Sequence, residues 1–357
     1  MSAGTFRSLL GKTFAAGIVL ITSAVFGVGA ANAQTKYYYP TFGKSYLPVV
    51  EDHAFDHFNS VDEGSDIVNR FLLAHLSMTV YNNTGLSEQD YDDYLDALYA
   101  NHGVLEVQGF HDSNTGADGA IFVTEHAVIV ACRGTSGSIT NLADHYADLD
   151  RAIKLVKVDN TEVGVHRGFW NAATSVFPEV VSKVALEVSN GRRVWLTGHS
   201  LGGATASMLA FKLQYQSGIP VQGLMTYGAP RVGDTDFNKM IEQPKAGGRA
   251  LTQSTQRFVL AGDVAATFWN DGNDIYKKKH VYHHFGKTHT IFKESGQYNF
   301  DYFSGELPMG YIPRTMIPYI LTYGIHMEYE SALFEETAGL LLAVADEEIL
   351  EDLIALP

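Results

Sequence analysis

The stretch that decides the fold is "VWLTGHSLGGATASMLAF", residues 194–211. An apolar run suited to a strand leads into two glycines that flank Ser200, and helix-forming residues follow. Side chains at positions 198 and 202 would collide in so tight a turn, so glycine is required at both. The turn strains the serine backbone and points its hydroxyl at the N-terminus of the next helix, where N–H groups stabilise an anion. The pattern therefore predicts a nucleophilic serine at the end of a strand.

Strands and helices alternate on both sides of this turn. Helices are predicted over 66–82 and 88–102, and three strands joined by turns within 104–134. Further strands are predicted at 154–158, 192–198, 221–228, 256–262 and 279–294, with helices near 170–188, 201–215 and 234–243. This alternation predicts an α/β fold, with a central, mostly parallel sheet flanked by helices. No clear linker interrupts it, so we expect a single domain over 34–357.

The first 33 residues have the pattern of a cleaved secretory signal. Arg7 and Lys12 precede an apolar run from about Phe14 to Ala30, and the small-x-small triplet Ala31-Asn32-Ala33 follows. The alternative is a membrane anchor, but the run is short for a span. The sequence therefore predicts a protein that is secreted or periplasmic, with no integral membrane span after signal removal.

Composition limits the partners and cofactors. The formal net charge of −15 argues against nucleic acid as a partner and against strong docking on anionic lipid. Cys132 is the only cysteine, so an intrachain disulfide is impossible, and its apolar surroundings predict a buried, inert thiol. Zinc and calcium motifs are absent from the sequence, and we expect neither metal nor cofactor.

Five stretches resemble, in order, the class 3 lipases, which are α/β-hydrolases of the filamentous-fungal type. They are "IVACRGTSGSITNLADHYADLD", "VGVHRGFWNAA", "VWLTGHSLGGATA", "MTYGAPRVGD" and "RFVLAGDV", and the weaker "YHHFGK" and "GIHMEYESAL" follow. The resemblance spans roughly residues 65–335. It implies an α/β-hydrolase fold with a short lid helix, and a serine hydrolase of carboxylic esters that works through a Ser-Asp-His triad.

The acid of the triad is predicted to be Asp263. It follows the strand "RFVLAG" at the carboxyl end, where loop residues reach the site, and it matches the family position of the catalytic Asp. Ala265-Ala266 depart from the aliphatic residue and proline usual there. The rivals Asp234 and Asp236 lie at a predicted helix start and are better interpreted as caps.

The base has two candidates among the histidines after Ser200. His326 is expected on a loop between a strand and a helix, and it matches the family position of a His followed three residues later by Tyr. The resemblance is incomplete, because Ile325 stands where relatives often carry Asp. His284 is expected within the last strand, which would hold it in the sheet. We favour His326 and keep His284 as the alternative.

Two further elements complete the expected site. The oxyanion hole should use the backbone N–H groups of Leu201 and Thr135, the latter after the strand "AVIVAC". The segment 137–150 carries an apolar face at helical spacing, and the resemblance implies a lid there. An ordinary surface helix is the alternative.

The predicted function is that of a secreted hydrolase of lipid esters at a lipid–water interface, most directly a triacylglycerol lipase. A phospholipase A1 or a feruloyl-type esterase would use the same triad. A catalytically dead lipid-binding protein is the alternative from a different class. The intact set of candidate Ser, Asp and His residues argues against it.

Overall fold

The computed structural model describes residues 53–64, 66–81, 86–134, 152–260, 263, 265–267, 272–273, 279–280, 282–294 and 297–299. Four predictions lie outside these residues: the signal peptide over 1–33, Thr135, the lid over 137–150, and His326. Within the part that the structure describes, every helix falls short of the length or apolar character needed to cross a bilayer.

Four of the five described α-helices begin where a capping side chain meets the first free backbone N–H groups. Asp66 accepts from Val68 and Asn69 at the start of the first helix, and Ser87 caps the second in the same way. The helices are α1 (Ile67–Thr79), α2 (Glu88–Tyr99), α3 (Arg167–Ser189), α4 (Leu201–Phe211) and α5 (Thr235–Ile241). One π-helical turn, Lys212–Gln216, extends α4, and short 3-10 turns cover Ala54–His57, Ala246–Gly248, Leu251–Ser254 and Ala265–Thr267.

Within the described residues, the strands divide into one large sheet and two antiparallel pairs. The strands are β1 (Val104–Asp112), β2 (Ala117–Thr124), β3 (Ala127–Cys132), β4 (Ile153–Val158), β5 (Thr161–His166), β6 (Arg193–His199), β7 (Val221–Tyr227), β8 (Thr255–Leu260), β9 (Gly272–Asn273), β10 (Lys279–His280), β11 (Lys287–Glu294) and β12 (Gln297–Asn299). The sheet order is β1-β2-β3-β6-β7-β8-β11-β12. Its inner strands β3, β6, β7, β8 and β11 are parallel, while β1, β2 and β12 pair antiparallel at the two sides. The predicted mostly parallel sheet flanked by helices is confirmed.

Each face of this sheet has its own hydrophobic core, because successive strand residues point to opposite sides. In β3, Val128 and Val130 face a core shared with α3 and α4, whereas Ile129 faces a core shared with α1 and α2. Cys132 is fully buried in the first core, and burial raises the pKa of its thiol. This fits the predicted inert thiol.

Two of the predicted strands differ from the structure. The strand predicted at 154–158 is present as β4, but it pairs antiparallel with β5 in a separate hairpin. The strand β5 was not predicted. The strand predicted over 279–294 is interrupted, because only Lys287–Glu294 joins the sheet. Gly286, with φ +82°, turns the chain just before that strand. His284 therefore does not lie within the strand, and the prediction that the sheet holds it there is wrong.

The segment 53–64 crosses the amino ends of the central strands. Phe55 and Phe58 are buried in the α1/α2 core. The Trp195 Nε1–H donates to the Ser60 carbonyl at 3.0 Å, and the Gln222 amide donates to the carbonyls of residues 61 and 62. This segment, here called the N-terminal arm, covers the sheet edge opposite to the carboxyl ends of the parallel strands.

Candidate active site

Ser200 occupies the turn that the sequence predicts between β6 and α4. Its φ of 56° and ψ of −127° lie outside the regions that a non-glycine residue ordinarily adopts. The conformation is held by backbone bonds: the Ser200 N–H donates to the Tyr227 carbonyl at 2.8 Å, and the Gly203 N–H donates to the Ser200 carbonyl at 3.1 Å. A strained, over-determined serine between strand and helix is the geometry of a nucleophile elbow.

The two flanking glycines are required by close backbone approach. A Cβ added at Gly198 would lie 2.4 Å from the Gly202 carbonyl carbon. A Cβ added at Gly202 would lie 2.1 Å from the Cys132 carbonyl oxygen, at the end of β3. The absence of side chains therefore lets the start of α4 lie directly against the end of the neighbouring strand.

Asp263 lies at the same edge of the sheet as Ser200. It follows β8 by three residues, and β7 lies between β8 and β6. Two strand spacings amount to about 10 Å, room for an imidazole between the serine and the carboxylate. Asp263 is buried, its N–H donates to the Leu260 carbonyl, and one carboxylate oxygen accepts the Ala265 N–H at 2.9 Å. These contacts fix the loop that carries it.

The rival carboxylates have structural roles. Asp234 caps α5 by accepting from the Asp236 and Phe237 N–H groups, and it also accepts from Gly164 in the β4–β5 hairpin. Asp236 pairs with Lys239 at the surface. Asp234 is the predicted cap, whereas the prediction of a cap is wrong for Asp236, which lies within the first turn of α5.

His284 lies next to the loop of Asp263. Its Nε2 lies 2.6 Å from the Ala266 carbonyl oxygen, so this nitrogen carries the proton and donates. Burial, with help from the positive charges of Arg257 and Arg231, holds the pKa of His284 well below its usual range. A neutral imidazole with Nε2–H committed to a carbonyl is poorly prepared to take a proton from Ser200.

Leu201 is the first residue of α4, which places its N–H at the helix N-terminus beside Ser200. The end of β3 pairs in parallel with β6, with Cys132 opposite Gly198. Gly134 is the last described residue before the predicted oxyanion donor Thr135. The chain segment that leads to Thr135 therefore leaves the sheet beside the nucleophile turn.

Residues 81 and 199 meet beneath this turn. The Tyr81 hydroxyl lies 3.0 Å from the His199 Nδ1, and both side chains are buried. This contact holds the His199 side chain within the packed scaffold. No sequence motif indicates Tyr81, because its partner His199 lies 118 positions away in the chain.

An ion-pair cluster holds Arg133, the residue before Gly134. Its guanidinium pairs with Asp118 and lies 3.4 Å from a Glu88 carboxylate oxygen. His111 bridges Asp118 and Asp92, with both ring nitrogens 2.8 Å from carboxylate oxygens. The hydrogen bonds to Asp118 and Asp92 raise the pKa of His111 to about 10, so it is an imidazolium at neutral pH. No local sequence pattern indicates this cluster, because its members come from distant parts of the chain.

Comparison with known proteins agrees with the geometry. The family profile described as Lipase (class 3) matches residues 129–272. A secreted mono- and diacylglycerol lipase 1 of Fusarium solani is 28% identical over 266 residues, covering 65% of this chain and 76% of that protein. A lipase of Rhizomucor miehei is 34% identical over 120 residues, covering 32% of this chain and 31% of that protein.

Solved structures share the fold. Lipase II from Rhizopus niveus superposes with a TM-score of 0.50 at 16% identity, covering 71% of this chain and 90% of that one. The chain has the α/β-hydrolase fold, and its similarity to class 3 lipases over residues 129–272 supports a carboxylic ester hydrolase.

Proposed function

We propose that the protein is an exported lipase that hydrolyses acylglycerols through a triad of Ser200, Asp263 and His326. The N–H groups of Leu201 and Thr135 form its oxyanion hole. The observation that carries the proposal is the strained Ser200 turn, with φ 56° and two glycines whose Cβ positions are filled by backbone. Backbone strain of this kind clusters at active sites, and here it falls on the residue type that a nucleophile requires.

The chemistry runs in two steps. His326 takes the Ser200 proton as the hydroxyl oxygen attacks the ester carbonyl, and the two N–H groups stabilise the resulting oxyanion. The tetrahedral intermediate collapses to an acyl-enzyme, and the leaving alcohol receives the proton from the imidazolium. Water then attacks the acyl carbonyl with the same base and releases a fatty acid and free Ser200. Asp263 orients the imidazole and stabilises its charged form.

The substrate class and location follow the relatives. The Fusarium relative is described as secreted and as acting on mono- and diacylglycerols. Together with the signal-like residues 1–33, this supports export of the present chain. The segment 137–150, with its apolar face, is proposed as a lid that opens at a lipid surface.

The nucleophile is tested by replacing Ser200→Ala and, as the matched control, Ser207→Ala. Ser207 lies on the same helix, and its hydroxyl donates to the Gly203 carbonyl. We expect the first variant to lose p-nitrophenyl ester hydrolysis by more than about 10³-fold and to escape labelling by a fluorophosphonate probe. The control should keep both. Full activity of Ser200→Ala would overturn the proposal.

The base is tested by His326→Ala against His284→Ala. We expect the first to be inactive. The second should retain most of its activity, because the His284 Nε2 is engaged with the Ala266 carbonyl. The reverse result would assign the base to His284.

The substrate is tested on emulsions of triolein, diolein and monoolein, on phosphatidylcholine vesicles and on a feruloyl ester. Highest initial rates on the acylglycerols support the proposal. Highest rates on phosphatidylcholine or on the feruloyl ester would make the enzyme a phospholipase A1 or a feruloyl-type esterase. A sharp rise in rate above the solubility limit of a short triglyceride would support the lid.

A further inference from the structure

One buried hydroxyl connects the two chain segments that form the proposed oxyanion hole. Tyr81 follows α1, and its hydroxyl lies 3.0 Å from the His199 Nδ1. The Gly134 backbone lies directly against this hydroxyl, because a Cβ added at Gly134 would meet the hydroxyl oxygen. His199 directly precedes Ser200, and Gly134 directly precedes Thr135. Tyr81 therefore contacts both loops one residue before each predicted functional position.

One hydrogen bond joins the two rings at this junction. A phenol has one O–H to donate and can accept through its oxygen, so either the Tyr81 hydroxyl donates to the His199 Nδ1 or an Nδ1–H donates to the hydroxyl oxygen. Burial raises the pKa of the phenol far above its ordinary value, so the hydroxyl stays protonated over the working pH range.

The contact is also sterically close. A Cβ added at Gly134 would lie 2.0 Å from the Tyr81 hydroxyl oxygen and 2.8 Å from the His199 carbonyl oxygen. The backbone of the oxyanion segment therefore lies against the phenol on one side and against the nucleophile turn on the other. A buried hydroxyl that bonds one segment and packs against the other restricts their relative movement.

We propose that Tyr81 is a positioning residue that sets the distance between the two oxyanion donors by joining Gly134 to His199. The inference rests on the proposed function and extends it. An oxyanion hole stabilises charge only when both N–H groups lie at hydrogen-bond distance from the developing anion. Without the junction, Gly134 can move relative to the turn, and the transition state loses stabilisation while substrate binding changes little.

The test compares Tyr81→Phe with Tyr99→Phe. Tyr99 is a close match, because it is also buried and its hydroxyl also bonds a histidine, at 2.7 Å from the His75 Nε2. We expect both variants to lose similar thermal stability. The kcat of Tyr81→Phe should fall about 10-fold further than that of Tyr99→Phe, with KM within about twofold of wild type, since a misplaced donor weakens only the transition state.

A second pair of variants addresses His199. In His199→Asn the side-chain amide can take the place of Nδ1 as the hydrogen-bond partner of the Tyr81 hydroxyl, whereas His199→Leu removes that partner. We expect the Asn variant to retain most of the kcat and the Leu variant to lose it. This pair keeps the inference testable if Tyr81→Phe does not fold.

The outcomes separate the inference from the function on which it rests. Equal kcat values for Tyr81→Phe and Tyr99→Phe, or equal losses for His199→Asn and His199→Leu, would overturn the role of Tyr81. Those results would leave Ser200 labelling and wild-type ester hydrolysis untouched. Absence of wild-type hydrolysis and of Ser200 labelling would instead remove the proposed function.

Discussion

Ser200 and Gly202 show how single atoms set the geometry of the proposed site. The serine backbone is strained, and such conformations persist only where the surroundings over-determine them. Here the surroundings are backbone atoms: the Tyr227 carbonyl holds the Ser200 N–H, and the Cys132 carbonyl fills the space beside Gly202. The residue type at 202 is therefore dictated by a strand that lies 70 residues earlier in the chain.

Replacing Gly202→Ala should affect both stability and catalysis. The added methyl group would push α4 from the end of β3, because it meets a backbone oxygen at 2.1 Å. We expect the free energy of unfolding to fall by about 1–3 kcal/mol and kcat to drop at least 10-fold, since about 1 Å of displacement at a site is costly. Urea denaturation and ester hydrolysis measure the two effects.

The control for this variant is Gly218→Ala. Gly218 has φ +69° and open space around its Cβ position, so only backbone strain of about 1 kcal/mol is expected there. Its kcat should equal that of wild type. If Gly202→Ala behaves like Gly218→Ala in both measurements, the steric account of the turn is wrong.

At the scale of elements, the ion-pair cluster joins α2, β1 and β2 to the segment that leaves β3. His111 lies on β1, Asp118 on β2 and Asp92 on α2, and Arg133 follows β3. Through Arg133, the cluster holds the beginning of the oxyanion segment. Its strength depends on the charge of His111.

His111→Gln should make stability depend less on pH. The pKa of His111 rises from 6.5 to about 10 in the folded protein, so its contribution is fully present below pH 6.5 and is lost as pH rises through about 10. The stability difference between wild type and His111→Gln should therefore be largest near pH 6 and small above pH 10. Urea denaturation at pH 6, 8 and 10 measures it.

The exposed His126→Gln, in the turn between β2 and β3, serves as the control for that series. Its stability difference from wild type should stay small throughout. A wild-type advantage over His111→Gln that grows from pH 6 to pH 10 would contradict the imidazolium bridge.

Local pattern predicted most of these elements, because periodicity and turn residues act over a few positions. The helices α1 to α5 and the strands around Ser200 lie where the sequence places them. The sequence pattern does not show that β4 pairs with β5 outside the main sheet. Side chains alternate between the two faces of a strand in a hairpin just as they do in a large sheet. The Tyr81–His199 contact was likewise hidden, because it depends on packing between distant segments.

At the scale of the whole molecule, the two ends of the parallel strands have different roles. The carboxyl ends carry the proposed site, and the amino ends are covered by the N-terminal arm. Ser200 and Asp263 lie beyond the carboxyl ends of parallel strands, as ligand sites in such sheets do. The N-terminal arm covers the amino ends and is fastened by Trp195 and Gln222. Stability and catalysis are thus supported at opposite edges.

Trp195→Phe should lower stability without lowering catalysis. The variant loses the hydrogen bond from Nε1–H to the Ser60 carbonyl and part of a fully buried ring. We expect the free energy of unfolding to fall by about 1–3 kcal/mol, while kcat below the unfolding transition stays within twofold of wild type. A loss of kcat as large as that of Gly202→Ala would show that the arm and the site are coupled.

The lone, fully buried cysteine has a practical consequence. Val61, on the N-terminal arm, is 60% exposed, so Val61→Cys would offer a thiol-reactive support its one accessible attachment point while Cys132 stays out of reach. Enzyme tethered there would be held at the amino ends of the strands, away from Ser200. Its active site would then face the lipid emulsion. Orientation on a bead would then be set by one engineered bond.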